Sequence, residues 1–86
     1  MDLKYEQIGK PLDSWRFAKA IETINHSRKV EIAELPDGRL NHIVIKNTMI
    51  PVGYLGADNQ IEKVNPNDKS LKPYHNFLEG IYRIIS

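Results

Sequence analysis

Two apolar-rich runs, Val30-Glu31-Ile32-Ala33-Glu34-Leu35 and Leu40-Asn41-His42-Ile43-Val44-Ile45, stand on either side of Pro36-Asp37-Gly38-Arg39. Proline presets φ at the second turn position, Asp tolerates the turn, and Gly adopts positive φ without steric cost, so the runs are expected to fold back as an antiparallel hairpin. That commits the middle of the chain to a sheet and leaves its flanks to cover it. A third strand is expected over Ile50 to Leu55. Pro51 would remove a ladder donor there and Gly53 suggests a bulge, both commoner at a sheet edge. Gly56-Ala57-Asp58-Asn59 then reads as a turn into a short fourth strand around Ile61 to Val64, and Asn65-Pro66-Asn67-Asp68 as a loop.

The flanks carry the helical period. Asp13 is placed to cap a helix running to about Ser27, with Leu12 and Phe17 as a hydrophobic staple. Phe17, Ala20, Ile21 and Ile24 form its apolar stripe, opposite Arg16, Lys19 and Thr23. From Leu71 to Ile85, Tyr74, Phe77, Leu78, Ile81, Ile84 and Ile85 are expected on one face and His75, Asn76, Glu79 and Arg83 on the other. Ser70 reads as the cap of this second helix, Pro73 is tolerable in its first turn, and Gly80 suggests a close approach to a neighbour.

A chain of 86 residues has room for one hydrophobic core. The reading is therefore a single α+β domain over 1–86, a two-layer sandwich of order α-β-β-β-(β)-α. It comprises an N-terminal arm (1–11), a helix (13–27), an antiparallel sheet of three or four strands (30–64) and a C-terminal helix (71–85), with both helices on one face. In the hairpin, Ala33, Leu35, Leu40, His42 and Val44 then point away from the helices, and neither face alternates cleanly with polar residues. An apolar reverse face calls for a cover, and a homodimer through it is the expectation.

The chemistry of the chain is sparse. There are no cysteines, no stretch has the ~20 apolar residues of a membrane span, and Asp2, Lys4 and Glu6 interrupt any leader-like run, so the default location is the cytoplasm. His26, His42 and His75 lie on three separate elements without metal-ligand spacing. His26 reads as a cation at a helix C-terminus, His75 as a polar-face residue and His42 as a residue of the reverse face. Ser14, Ser27, Ser70 and Ser86 have capping or terminal roles, and no nucleophile elbow occurs. Glu31 and Glu34 fall on opposite sheet faces, and the glycines are too scattered to cradle a phosphate. The expectation is a non-enzymatic chain with no metal and no cofactor.

Twelve basic side chains face eleven acidic ones, for a net charge of +1. Residues 1–29 carry six against four, 30–62 two against five, and 63–86 four against two, so the ends are mildly basic and the middle acidic. The order helix, three strands, helix resembles that of the double-stranded RNA-binding domain. That family places a lysine run at the start of its second helix, whereas here only Lys69 and Lys72 flank Ser70 and Pro73, Tyr74 and His75 follow. Membership is not claimed, and nucleic-acid binding stands as an alternative carried by Arg16, Lys19, Arg28 and Lys29.

Trp15 falls about 160–180° from the first helix's apolar stripe. With Arg16 beside it, it forms the pairing enriched in binding hot spots, and the competing expectation is that Leu3, Tyr5 and Ile8 of the arm fold over it. The leading functional reading is an inhibitor, adaptor or accessory factor, of the kind that phages and mobile elements encode. It would bind a protein partner through Trp15, Arg16, Lys19, Arg28 and Lys29 as a homodimer. A small-ligand pocket at the dimer seam near His42, Tyr54 and Tyr82 is the third.

Overall fold

A computed structural model describes residues 2–36 and 41–86. The chain runs β1 (Tyr5–Ile8), α1 (Ser14–Asn25), β2 (Val30–Ala33), β3 (His42–Ile45), β4 (Pro51–Gly56), β5 (Gln60–Val64) and α2 (Lys72–Ile85), with a single-turn 3₁₀ segment Lys69–Leu71 leading into α2. All strand pairings are antiparallel, and the five strands lie in the order β1-β5-β4-β3-β2. The sheet therefore has one strand more than expected. The extra one is the N-terminal arm, whose Tyr5 to Ile8 pair with Val64 to Ile61. The turn expected at Pro36–Arg39, and Leu40 with it, lies largely outside the described residues, but β2 and β3 pair in hairpin register from Val30↔Ile45 to Ala33↔His42.

Strand β4 is also not where expected, since it pairs on both sides, with β3 and β5. Pro51 suggested an edge, yet β4 is the central strand. Proline is tolerated because it is the first residue of the strand, where the ladder against β3 shifts register between Ile43 and Val44. The irregularity expected at Gly53 is present, since Gly53 stands opposite Ile43 and Pro51 opposite Val44 with Val52 between them unpaired; a Cβ at Gly53 would also lie 2.5 Å from Leu78 Cδ1, so the missing side chain lets α2 lie close on the sheet. Gly80, the residue expected to mark close packing, has open space where its side chain would be.

Both helices cover one face. Register puts Val30, Ile32, Ile43, Ile45, Leu55 and Ile61 on that side, and they join one cluster with Ala20 and Ile24 of α1 and Leu78 and Ile81 of α2. The helices run antiparallel: Tyr82, near the end of α2, bonds to Lys10 ahead of α1, and Phe77, earlier in α2, shares a cleft with the last turn of α1. Asp13 caps α1 by accepting from the Arg16 amide. Ser70 does not cap α2: the N-cap position is Leu71, with no side-chain cap bond, and Ser70 lies in the preceding 3₁₀ turn, where the Asp68 carboxylate accepts from its amide and its hydroxyl.

The second helix is rotated from expectation. His75 is buried, its Nε2–H donating to the Val64 carbonyl at 2.8 Å, while Ile84 is 87% exposed. A histidine whose proton finds a backbone carbonyl is satisfied in the core, and the inward stripe turns toward it.

Candidate interaction site

Sequence reasoning singled out two groups of residues, and the structure treats them differently. Of the reverse-face group, Leu40 lies outside the described residues. Ala33 is half-buried, and Leu35, His42 and Val44 are already buried within one chain, His42 completely. The cover comes partly from the sheet's own side chains. Ala33, His42, Tyr54, Glu62 and Gln7 fall in one cross-strand row. Tyr5 reaches in from the edge strand, over β5, to this row. Its hydroxyl lies 2.9 Å from His42 Nε2, in a hydrogen bond whose direction follows the imidazole tautomer. Ring centroids are 5.4 Å apart for Tyr5 and Tyr54, edge to face, and 4.7 Å for His42 and Tyr54. Val64, on the strand that Tyr5 crosses, is fully buried.

This corrects the reasoning for a homodimer. The described aliphatic residues of the reverse face do not wait for a second copy to leave water, because Leu35 and Val44 are already buried within one chain. Polar Gln7, Gln60 and Glu62 complete the face. It corrects the seam pocket as well. His42 and Tyr54 do touch, but Tyr82 belongs to the helical layer, where its hydroxyl accepts from the Lys10 amide and donates to the Lys10 carbonyl. The sheet separates it from the other two.

The second group divides along α1. Trp15 is 67% exposed, with the Lys19 ammonium 5.7 Å from its ring centre. The arm does not fold over it, because residues 5–8 are held in the sheet. Arg16 is engaged locally: its guanidinium pairs with Asp13, the same carboxylate that caps the helix. The Arg16 amide bond, with the guanidinium beside it, holds the Asp13 carboxyl below its ordinary value of 3.8.

Arg28 and Lys29 lie at the other end of α1, ~18 Å away for a twelve-residue helix. There the helix ends on His26, whose Nδ1–H donates to the Glu22 carbonyl at 2.8 Å. The chain then turns into β2, with Ser27 Oγ accepting from the Lys29 amide. Two shallow clefts meet at this point. One runs between the last turn of α1 and Phe77, the other between β3, Lys46 and the start of α2 at Pro73 and Tyr74, and Arg28 and Lys29 line both. Lys46 and Tyr74 were not anticipated as site residues. The signal for Lys46 was present, since a lysine just after a strand that pairs with β2 must lie beside Lys29.

Among the described residues, no three His, Asp or Glu side chains gather as a metal would need, and no helix is long and apolar enough to cross a membrane. No protein-family model matches the chain, and comparisons with curated proteins and with solved structures give no match either. The chain is thus a small α+β domain with two helices over a five-stranded antiparallel sheet.

Proposed function

We propose that this protein is a non-enzymatic interaction protein, an inhibitor, adaptor or accessory factor, that docks a protein partner on the outer face of α1 around Trp15. The observation behind this reading is the placement of the chain's sole tryptophan. It projects from the first turn of a capped helix, two-thirds exposed, and the nearby arm that had the reach to cover it is used elsewhere. A tryptophan held in water forfeits the burial its ring would gain in a pocket, and tryptophan is the residue most enriched among interface hot spots. Lys19 on the ring gives the patch a positive rim, while Arg16 is neutralised by Asp13. The complementary partner presents an apolar pocket edged by acidic side chains.

Trp15 also supplies the test, because it is the only tryptophan fluorophore. In the free protein its emission should be that of a hydrated indole, fully quenched by iodide. A photo-crosslinking side chain at position 15, expressed in the native host, should give a discrete protein adduct that the same group at Arg83 does not. A blue-shifted, quencher-protected emission from the free monomer, or identical adducts from both positions, would falsify the reading. Sedimentation in the same buffer decides whether the partner is a second copy: protection of Trp15 that rises with self-association would identify it as one.

A further inference from the structure

The paired clefts at the far end of α1 have a pattern of their own. Each has an aromatic side chain in its wall, Phe77 in one and Tyr74 in the other, both half-buried and therefore held in place while part of each stays accessible. Between the two lie Arg28 and Lys29, both exposed and both lining each cleft. Lys46 adds a third cation on the Tyr74 side, 3.9 Å from Glu31, a long contact for an ion pair. The Glu31 carboxylate is occupied in addition by the Asn47 amide at 2.7 Å. Glu22 is the acidic side chain among the cleft linings. The Lys29 ammonium lies over the Phe77 ring, 5.4 Å from its centre, a cation–π contact that a base stacking on that face would displace, freeing the ammonium for a phosphate.

Aromatic, cation pair, aromatic is the alternation that a single nucleic-acid strand presents in complement: base, phosphate, base. Strands of this kind are bound by rings on which successive bases stack and by basic side chains that follow the backbone, without any need for sequence readout. A duplex offers no such faces, since its bases are stacked on one another. We propose that the clefts on either side of Arg28 and Lys29 form a binding site for single-stranded nucleic acid, with adjacent bases against Phe77 and Tyr74 and the intervening phosphates on Arg28, Lys29 and Lys46. Arg16 and Lys19 take no part, because they lie at the other end of α1. The site is independent of the one around Trp15, so either can fail alone.

The test is fluorescence anisotropy of labelled thymidine nucleotides of one to twelve residues, single-stranded, beside a labelled DNA hairpin whose stem stays paired as the duplex, at about 20 mM salt. The site predicts binding that strengthens from mononucleotide to short oligomer, exceeds binding to the duplex by about tenfold, and weakens with salt at roughly two logarithmic units of affinity per decade, the slope for three phosphates at ~0.7 each. Joint replacement Arg28→Ala, Lys29→Ala should lower that slope by more than one unit, whereas the control Arg83→Ala, which removes a cation outside both clefts, should leave it unchanged. Tyr74→Leu, a volume-tolerant change, should cost about fivefold or more at unchanged slope, as loss of stacking does. If Tyr74→Leu lowers the melting temperature, Lys46→Ala carries the same decision through the slope alone. No binding at low salt overturns the proposal, as does equal affinity for the duplex or a salt slope that the double variant leaves intact.

Discussion

On the helix side of the sheet, Val30, Ile43, Leu55 and Ile61 share one buried cluster with Ile24, Leu78 and Ile81, so aliphatic side chains from two layers close on each other. On the reverse side Val44 and Val64 are as deeply buried, yet no helix lies over them. The contacts there come from within the sheet, through Tyr5, Tyr54 and His42, with the segment after β2 contributing Leu35. The two faces differ in how they exclude water: one uses a second layer, the other long aromatic side chains laid along a single layer. An apolar row in a strand is therefore insufficient evidence for a partner. A tyrosine three strands away can reach it, and its hydroxyl end keeps the outside wettable.

The comparison is broken most forcefully from the helix side. Leu78→Ala removes the fully buried side chain that sits against Gly53. It should destabilise the fold by about 3 kcal/mol, within the 2–5 range of buried leucine truncations, as read from urea unfolding. If the loss stayed under ~1 kcal/mol, the helical layer would be loosely seated and the contrast between faces would vanish.

Tyr5→Phe probes the reverse face. It deletes the hydroxyl paired with His42 Nε2 and keeps the ring over β5, so about 1 kcal/mol is expected, the net worth of one hydrogen bond. Amide exchange should quicken mainly in β1, which is tied to the sheet by one pairing and by this side chain. A loss equal to that of Leu78→Ala would mean the aromatic cover is as structural as a helix. No change at all would mean that the ring alone suffices.

The same contrast explains what could be read from residues alone. Helix α1 was legible because Asp13, Leu12 and the Phe17–Ile24 stripe agree on one answer, and the β2–β3 pairing was legible because its strands are β-branched and its turn carries Pro, Asp and Gly. Strand β1 was not. Tyr5-Glu6-Gln7-Ile8 is short and half polar, as an edge strand can be, and only the Gly9-Lys10-Pro11 break after Ile8 hinted at an element ending there. Gly9 takes a φ of 59° at that point, with the Tyr82 ring packed against it. Overlooking β1 left the reverse face without Tyr5, and a homodimer then had to supply the cover; the edge expected for β4 rested separately on Pro51 and Gly53. At the clefts, Arg28 and Lys29 were readable as charge. That Phe77 and Tyr74 flank them depends on the antiparallel helix pair, which no local pattern encodes.

The smallest effect comes from the residue that the helical period misplaced. Ile84 stands in an apolar run, Ile81, Ile84 and Ile85, and a stripe centred between Tyr74 and Phe77 includes it. With His75 turned inward to the Val64 carbonyl, the true stripe passes through Leu71, His75, Leu78 and Ile81, and Ile84 lies about 120° from its centre. Ile84→Ser should therefore change stability by no more than about 0.5 kcal/mol, the range of surface substitutions, against the several expected for Leu78 one helical face away. A loss above ~1.5 kcal/mol, checked by urea unfolding at two protein concentrations, would break the assignment. If that loss grew with concentration, Ile84 would be buried between copies of the chain; if it did not, α2 would be seated on the sheet in the rotation that the apolar period alone suggested.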